Sequence, residues 1–106
     1  MRVKYPVILT QDGECVLVEV PDLGILTEGK NMRDAINMAR DAIGQKGITM
    51  QDHQQKVPES SAIEEIDVHA GTFADAGPGT LVAVDVDFDA FRREYDTRST
   101  VNHGHQ

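Results

Sequence analysis

Residues 4–20 read KYPVILTQDGECVLVEV, and this stretch decides the first part of the fold. Two runs of β-branched and apolar residues flank the dipeptide Asp12-Gly13, in which glycine adopts the positive φ of a tight turn without steric cost. The pattern therefore predicts a β-hairpin whose second strand spans residues 15–20. Pro6 cannot donate a hydrogen bond to a ladder, so we expect it at the start of its strand or where that side has no partner.

The next segments extend the hairpin into a meander and then into a helix. Residues 21–24 (PDLG) break the second strand, and residues 25–28 (ILTE) predict a third, short strand. Asn31 is a good helix N-cap, and apolar residues recur behind it at spacings of three and four as far as Ile43, which predicts a helix with one buried stripe. Gly47 is a candidate end for this helix, although apolar residues beyond it allow one or two further turns.

The C-terminal part adds a strand and a short helix. Residues 80–86 (TLVAVDV) predict a fourth strand, and the apolar run at residues 81–84 is typical of a central strand covered on both faces. Aromatic residues at helical spacing predict a helix that ends near Tyr95. We therefore expect an α+β fold of order β-β-β-α-β-α, with one main helix on one face of a four-stranded sheet and the fourth strand beside a strand of the meander. Residues 1–96 form the expected domain, and the polar residues 97–106 form the expected flexible tail.

Length and charge restrict the classes of protein that the chain can represent. Its 106 residues are enough for one compact domain and too few for two. With 10 basic and 18 acidic side chains the net charge is −8, which argues against a broad electrostatic grip on nucleic acid and favours a basic partner or simple solubility. We expect a cytoplasmic protein, because there is no apolar run for a membrane helix, no signal peptide, and a single cysteine, Cys15, that suits a reducing compartment.

Three alternating aspartates, Asp85, Asp87 and Asp89, are the first candidates for metal chemistry. Their spacing is that of the start of a calcium loop. However, Ala90 stands where the sharp turn requires glycine, and Arg93 stands where an oxygen ligand is needed. Capping of the last helix by Asp87 or Asp89 is the better interpretation.

A metal-dependent nuclease is the second candidate. Asp85 and Glu19 both lie on predicted strands, and two-metal hydrolysis needs carboxylates that converge from several strands. The other nearby acidic residues lie in or beside turns, the four histidines are scattered, and no nucleophile triad or phosphate-binding glycine loop is present. We therefore predict no catalytic residue, no metal and no cofactor, and we keep the nuclease as the alternative function.

Several short motifs follow one another in an order that resembles one family. They are Tyr5-Pro6-Val7-Ile8, Asp12-Gly13, Val18-Glu19-Val20-Pro21-Asp22-Leu23-Gly24, Thr27-Glu28-Gly29, residues 35–42 (AINMARDA), residues 58–61 (PESS) and residues 84–93 (VDVDFDAFRR). The chain resembles the HicB-like antitoxins of type II toxin–antitoxin systems of bacteria and archaea over about residues 4–95. The family pattern usually continues with Pro-Gly after Leu23, whereas this chain has Gly24-Ile25.

The resemblance implies a non-enzymatic protein with a partial ribonuclease-H-like sheet. It also implies a partner, the small basic ribonuclease toxin HicA, whose RNA-binding surface and catalytic histidine the antitoxin covers. Self-association is expected from the same source. Family members often carry a C-terminal DNA-binding segment for their own promoter, but residues 97–102 (TRSTVN) match only the first strand of such a segment. Promoter binding and operon autoregulation by this chain are therefore open.

For contact with the toxin we single out Glu19, Asp22, Leu23 and Glu28, because they combine acidic and apolar groups around the meander turn. The simple alternative is that Asp22 is only a turn residue. Two other functional interpretations stay open at this point, namely the metal-dependent nuclease and a self-associating sheet domain without a toxin. A small basic protein encoded beside this chain would favour the antitoxin.

Overall fold

The structure, a computed structural model, describes the backbone of residues 1–103 and the side chains of residues 1–96. Within these residues it has the elements β1 (Arg2–Asp12), β2 (Cys15–Val20), β3 (Ile25–Gly29), α1 (Met32–Asp52), β4 (Gly79–Asp87) and α2 (Phe88–His103). The strands form one antiparallel sheet, and α1 packs on one of its faces. This confirms the α+β fold and the predicted order β-β-β-α-β-α.

The β1–β2 hairpin forms where the sequence predicts it. Asp12 pairs with Cys15, so the turn consists of Gly13 and Glu14 alone. Gly13 has a φ of +61°, the positive value that the first position of a type II′ turn requires. Because so short a turn fixes the register, the valines of β2 all face the core, as their alternation predicts.

Strand β4 lies at an edge of the sheet. The strand order is β3-β2-β1-β4, so within the described residues β4 has a neighbour on one side only. The expectation that residues 81–84 mark a central strand is therefore wrong. The strand covered on both faces is β1, in which residues 5–10 are all buried. In β4, Val84 and Val86 serve the core face, while Ala83 is exposed.

The central strand β1 accommodates a proline because its neighbour ends beside it. Pro6 pairs with Ala83 of β4, whereas the ladder with β2 begins at the pair Ile8–Glu19. Strand β2 ends at Val20, so no residue of β2 requires the N–H that Pro6 lacks. Pro6 thus has the second of the two placements that the sequence allows.

Helix α1 crosses the core face of the sheet. Asn31 caps its start, since the Asn31 Oδ1 accepts a hydrogen bond from the Asp34 N–H at 2.8 Å. The helical residues that are fully buried on the sheet are Ala35, Ala39 and Ile43. Met32 precedes Ala35 and Ala39 at helical spacing, which predicts that it belongs to the buried stripe, but it is exposed. The helix continues past Gly47 to Asp52, which is the longer of the two ends that the sequence allows.

Two glycines of α1 receive the aromatic rings that dock α2. A Cβ atom built on Gly44 would lie 2.4 Å from the Phe91 ring, and one built on Gly47 would lie 2.2 Å from the Phe88 ring. Both rings belong to the hydrophobic core. Glycine weakens an isolated helix, but here it creates the space in which the second helix packs.

Helix α2 is longer than the sequence predicts. Tyr95, its expected end, stacks on Phe91 with the ring centroids 6.2 Å apart, and the helical backbone continues to His103. The last residues of the expected tail, 104–106, lie outside the described residues. The division into a domain of residues 1–96 and a flexible tail of residues 97–106 stays a prediction.

Candidate functional site

The face of the sheet opposite α1 carries two of the four residues singled out for partner binding, Glu19 and Glu28. Because side chains alternate along a strand, Glu19 of β2 lies between Ile8 of β1 and Leu26 of β3 on this face, and Glu28 follows on β3. The connection between α1 and β4, residues 53–78, passes over this face and is called the crossover segment below. It covers Ile8, which is 4% exposed, and leaves Leu26 53% exposed.

Glu19 holds the crossover segment against the sheet. One carboxylate oxygen accepts a hydrogen bond from the Thr72 N–H at 2.8 Å, and the other accepts one from the Thr72 hydroxyl at 2.8 Å. Two bonds from one rigid strand fix this point of the segment and place Phe73 beside Leu17 and Leu26. The Glu19 carboxylate is thus engaged within the chain, and its effect on the exposed surface is to position Phe73.

Asp22 makes the same kind of clamp at the start of the crossover segment. Its two carboxylate oxygens accept hydrogen bonds from the Ser61 N–H at 2.8 Å and from the Ser61 hydroxyl at 2.7 Å. Ser61 and Glu64 have the spacing of a capping box, which predicts a short helical turn, but the Ser61 hydroxyl binds Asp22 and this box does not form. The 3₁₀ turn Ile63–Glu65 is capped instead by Glu65, whose side chain accepts a hydrogen bond from the Ala62 N–H at 2.9 Å.

A buried tyrosine ties the same segment to the core. The Tyr5 hydroxyl donates a hydrogen bond to the carbonyl oxygen of Pro58, just before the Asp22 clamp. Burial raises the pKa of the Tyr5 hydroxyl, and the nearby negative charge of Asp22 raises it further. Tyr5 therefore stays a neutral donor at neutral pH.

The structure does not gather the four predicted contact residues into one exposed patch. Leu23 is 5% exposed and belongs to the hydrophobic core. Glu19 and Asp22 are bonded to the crossover segment, as described above. Glu28 is exposed and lines two grooves of the surface. That all four contact a toxin stays a prediction, and the geometry favours Glu28 among them.

The two grooves lie on either side of Glu28 at the rim of β3, the second edge strand. The first is lined by Leu17, Leu26, Thr27, Glu28 and Phe73. The second is lined by Glu14, Cys15, Glu28, Gly29, Lys30, Asp34 and Met38. Leu26 and Met38 are 53% and 40% exposed, so each groove offers one large apolar side chain to solvent.

The sequence patterns did not identify Leu26 or Met38 as candidates for partner binding, although one weak feature of the sequence pointed to Met38. Met38 belongs neither to the buried stripe of α1 nor to its charged face, which is unusual for a large apolar residue on a helix. Leu26 alternates with Ile25 and Thr27 as any strand residue does. Only the path of the crossover segment decides that Leu26 remains uncovered.

The single cysteine lies in the second groove. Cys15 is half-buried, and its Sγ donates a hydrogen bond to the Asp12 carbonyl oxygen at 3.3 Å. Desolvation raises the pKa of the Cys15 thiol, and the neighbouring Glu28 carboxylate raises it further. The thiol is therefore protonated at neutral pH and is a weak nucleophile.

Comparison with known proteins identifies the family of the chain. Residues 5–102 match the family model for the HicB-like antitoxin of bacterial toxin–antitoxin systems. The chain belongs to the HicB-like antitoxin family.

One relative and two solved structures are similar to this chain. A UPF0150 protein of Thermoplasma acidophilum is 39% identical to this HicB-like chain over 69 residues, which cover 63% of this chain and 99% of the relative. The N-terminal domain of the antitoxin HicB of Burkholderia pseudomallei superposes with a TM-score of 0.60 at 29% identity, covering 77% of this chain and 98% of that one. A chain of a toxin–antitoxin complex from Streptococcus pneumoniae gives a TM-score of 0.76 over 86% of this chain and 73% of that one; at 20% identity it shows the shared fold alone.

The carboxylates considered for a nuclease lie far apart in this HicB-like sheet. Glu19 pairs with Ile8 and Asp85 pairs with Lys4, on opposite sides of β1. Two strand spacings across the sheet and four residues along it separate their Cα atoms by about 16 Å. The carboxylates of a two-metal centre must converge on ions that lie only about 4 Å apart. Among the described residues, no group of three or more histidine, cysteine or acidic side chains is placed to hold a metal.

The aspartates considered for calcium have other contacts. Asp87 caps α2, because its Oδ1 accepts hydrogen bonds from the Asp89 N–H at 3.0 Å and from the Ala90 N–H at 3.4 Å. Asp89 binds the N-terminal ammonium of Met1 at 2.7 Å. Capping by Asp87 is the arrangement expected in place of a calcium loop.

In the part of the chain that the structure describes, neither helix is apolar over a membrane-spanning length.

Proposed function

We propose that this HicB-like antitoxin neutralises a HicA-like toxin, a small basic ribonuclease that cuts mRNA, by covering the toxin surface that binds RNA. Membership of the antitoxin family over residues 5–102 is the observation that carries the proposal. The antitoxin contributes no bond-breaking chemistry of its own, and it acts in the cytoplasm, where such a toxin meets its substrate. Self-association of the antitoxin belongs to the same proposal.

The charge of the chain supports a basic partner. It carries 18 acidic against 10 basic side chains, and its sequence pI is about 4.7. A toxin surface built to hold phosphates attracts an anionic protein over a distance of about one Debye length, which speeds the encounter and opposes binding of RNA to the same surface. Complementary charge acts mainly on the association rate, so it accounts for partner choice more than for final affinity.

The experiment is a reconstitution with the small basic protein encoded beside this chain. We expect the two proteins to copurify, and we expect the antitoxin to abolish cleavage of RNA by the purified toxin at equimolar amounts. Mass measurement of the complex gives the ratio of the two chains and the self-association of the antitoxin. The absence of such a neighbouring protein, or full toxin activity in the presence of the antitoxin, would overturn the proposal.

The antitoxin must also be tested alone. We expect it to leave RNA intact in the presence of divalent cations. The variants Asp85→Asn and Glu19→Gln are the controls, because a genuine nuclease activity of this sheet would disappear in both. RNA cleavage by the unmodified chain that both substitutions remove would establish the nuclease instead.

A further inference from the structure

The rim of β3 combines exposed apolar side chains, an unpaired strand edge and acidic side chains, which together are features of a surface that binds protein. We define the β3 rim as Leu26, Glu28 and Met38 with the groove wall Phe73. Two of its side chains, Leu26 and Met38, are among the most exposed large hydrophobic residues of the described chain. Leu26 belongs to the edge strand β3 and Met38 lies beside it, and the outer main-chain N–H and C=O groups of β3 have no strand neighbour in the described chain.

The charge of the rim selects the chemistry of its partner. Glu28 lines both grooves, and Glu14 joins it in the second. The ion pairs of Met1 with Asp87 and Asp89, and of Arg92 with Asp52, involve neither of these two carboxylates. Lys30 also lines the second groove, but Glu14, Glu28 and Asp34 make that groove acidic on balance. An exposed apolar side chain next to an exposed carboxylate fits the stem and the charged head of a lysine or arginine.

These features exclude other occupants of the rim. A second copy of the chain would present the same acidic groove residues, Glu14, Glu28 and Asp34, to this rim, so we expect self-association on another surface. A nucleic acid would place phosphates against the same carboxylates. The grooves are open and shallow, so they do not enclose a small ligand as a binding pocket does. A cationic segment of another protein is the occupant that both the apolar and the acidic groups favour.

We propose that the toxin docks on the β3 rim, where its apolar side chains or basic stems pack against Leu26 in the first groove and Met38 in the second, and a lysine or arginine pairs with Glu28 between the two grooves. This inference rests on the proposed function, since it names the surface that the toxin of that function uses. Glu19 supports the same surface from within the chain, because its clamp on Thr72 positions Phe73. The toxin thus meets one acidic residue of the predicted set, Glu28, directly.

Two variants with matched controls test the rim. Leu26→Asp places a charge in the apolar contact, and we expect it to weaken toxin binding at least about 30-fold, the effect of losing a central interface residue. Its control is Ala83→Asp, which makes the same charge change at an exposed position of the opposite edge strand β4. Glu28→Lys should lower the rate of association with the toxin about 10-fold at low salt and by less at high salt. Its control is Glu64→Lys, the same charge change at an exposed position of the crossover segment, which should leave the association rate nearly unaffected.

The single cysteine provides a test that needs no substitution. Cys15 lines the second groove with Glu28 and Met38, and it is the one cysteine of the chain. We expect bound toxin to slow alkylation of Cys15 by N-ethylmaleimide about 10-fold or more. Mass spectrometry of the peptide that contains Cys15 measures the rate of this alkylation. Circular dichroism melts show whether each variant keeps its fold, which the exposure of all four substituted side chains favours.

The outcomes separate the surface from the function. If the unmodified antitoxin binds and inhibits the toxin, but Leu26→Asp binds equally well and Cys15 is not protected, the β3 rim is the wrong surface and the antitoxin function stands. If the unmodified antitoxin does not bind the toxin, the proposed function itself fails. Loss of binding in Leu26→Asp and Glu28→Lys, with both controls intact, supports the rim.

Discussion

Replacement of Gly47 by alanine tests the packing of the two helices most directly. Gly47 lies inside α1, where alanine is intrinsically better than glycine by about 1 kcal/mol. The structure predicts the opposite effect. The added Cβ would lie 2.2 Å from Phe88 Cε1 and 2.3 Å from its Cζ, whereas carbon atoms in contact prefer about 3.5–4.0 Å. The ring or the helix must therefore move by more than an ångström.

The movement is costly because Phe88 is buried within the core. Its side chain is 0% exposed, and the ring belongs to the core. Overpacking of a filled core costs about 1–3 kcal/mol and occasionally more, and this overlap lies at the upper end. After the gain in helix propensity, we expect Gly47→Ala to lower the free energy of unfolding by about 2 kcal/mol, or the melting temperature by roughly 8–16 °C.

Thermal or urea unfolding monitored by circular dichroism measures this change. Gln45→Ala, at an exposed position on the same helix, is the matched control, and it should change stability by less than about 0.5 kcal/mol. In the double variant Gly47→Ala with Phe88→Leu, the smaller side chain should recover part of the loss, so the two effects should not add. A Gly47→Ala protein as stable as the unmodified chain would refute the packing of α2 on α1 described here.

Three further predictions concern single contacts. Asp22→Asn turns one acceptor toward Ser61 into an amide donor and should lower the free energy of unfolding by about 1–2 kcal/mol, seen as a lower urea midpoint; an unchanged midpoint would contradict the clamp. The N-terminal ammonium of Met1 lowers the pKa of Asp89. The ionised carboxylate therefore stabilises the fold at pH values above its unfolded-state pKa, and this stability is lost as the pH falls through the lower pKa of the folded state. In the variant Asp89→Asn the melting temperature should depend less on pH below about pH 4. Burial and a neighbouring carboxylate raise the pKa of Cys15, so its alkylation at neutral pH should be slower in the folded chain than in urea, and equal rates would show that the thiol is free.

Local patterns predicted most of the secondary structure. The second strand, the N-cap of α1 and the start of α2 all depend on residues within a few positions of one another. Errors arose where a distant residue decides the outcome. Local rules left the end of α1 open between Gly47 and one or two further turns; the helix continues to Asp52, and a ring of α2 packs against Gly47. The apolar run of β4 is that of a central strand by local rules, but the strand pairs on one side only.

The candidate site was predictable only in part for the same reason. The sequence placed Glu19, Asp22 and Glu28 near one another, because alternation and a short meander fix their neighbourhood. It did not show that the first two carboxylates bind the crossover segment, because Thr72 and Ser61 are 53 and 39 residues away along the chain. Leu23 was a surface candidate by position and is a core residue in the fold.

By itself the sequence determined the order of the elements, the hairpin turn at Gly13, the capped start of α1 and the acidic charge that suits a basic partner. These properties follow from the backbone preference of single residues, from short periodicities and from a count of charges. The tertiary structure alone decided the strand order, the path of the crossover segment and therefore which side of β3 is left open. The physical reason is that burial of both faces of the sheet depends on contacts between segments far apart in the chain, and no local pattern records which of several apolar faces each segment will cover.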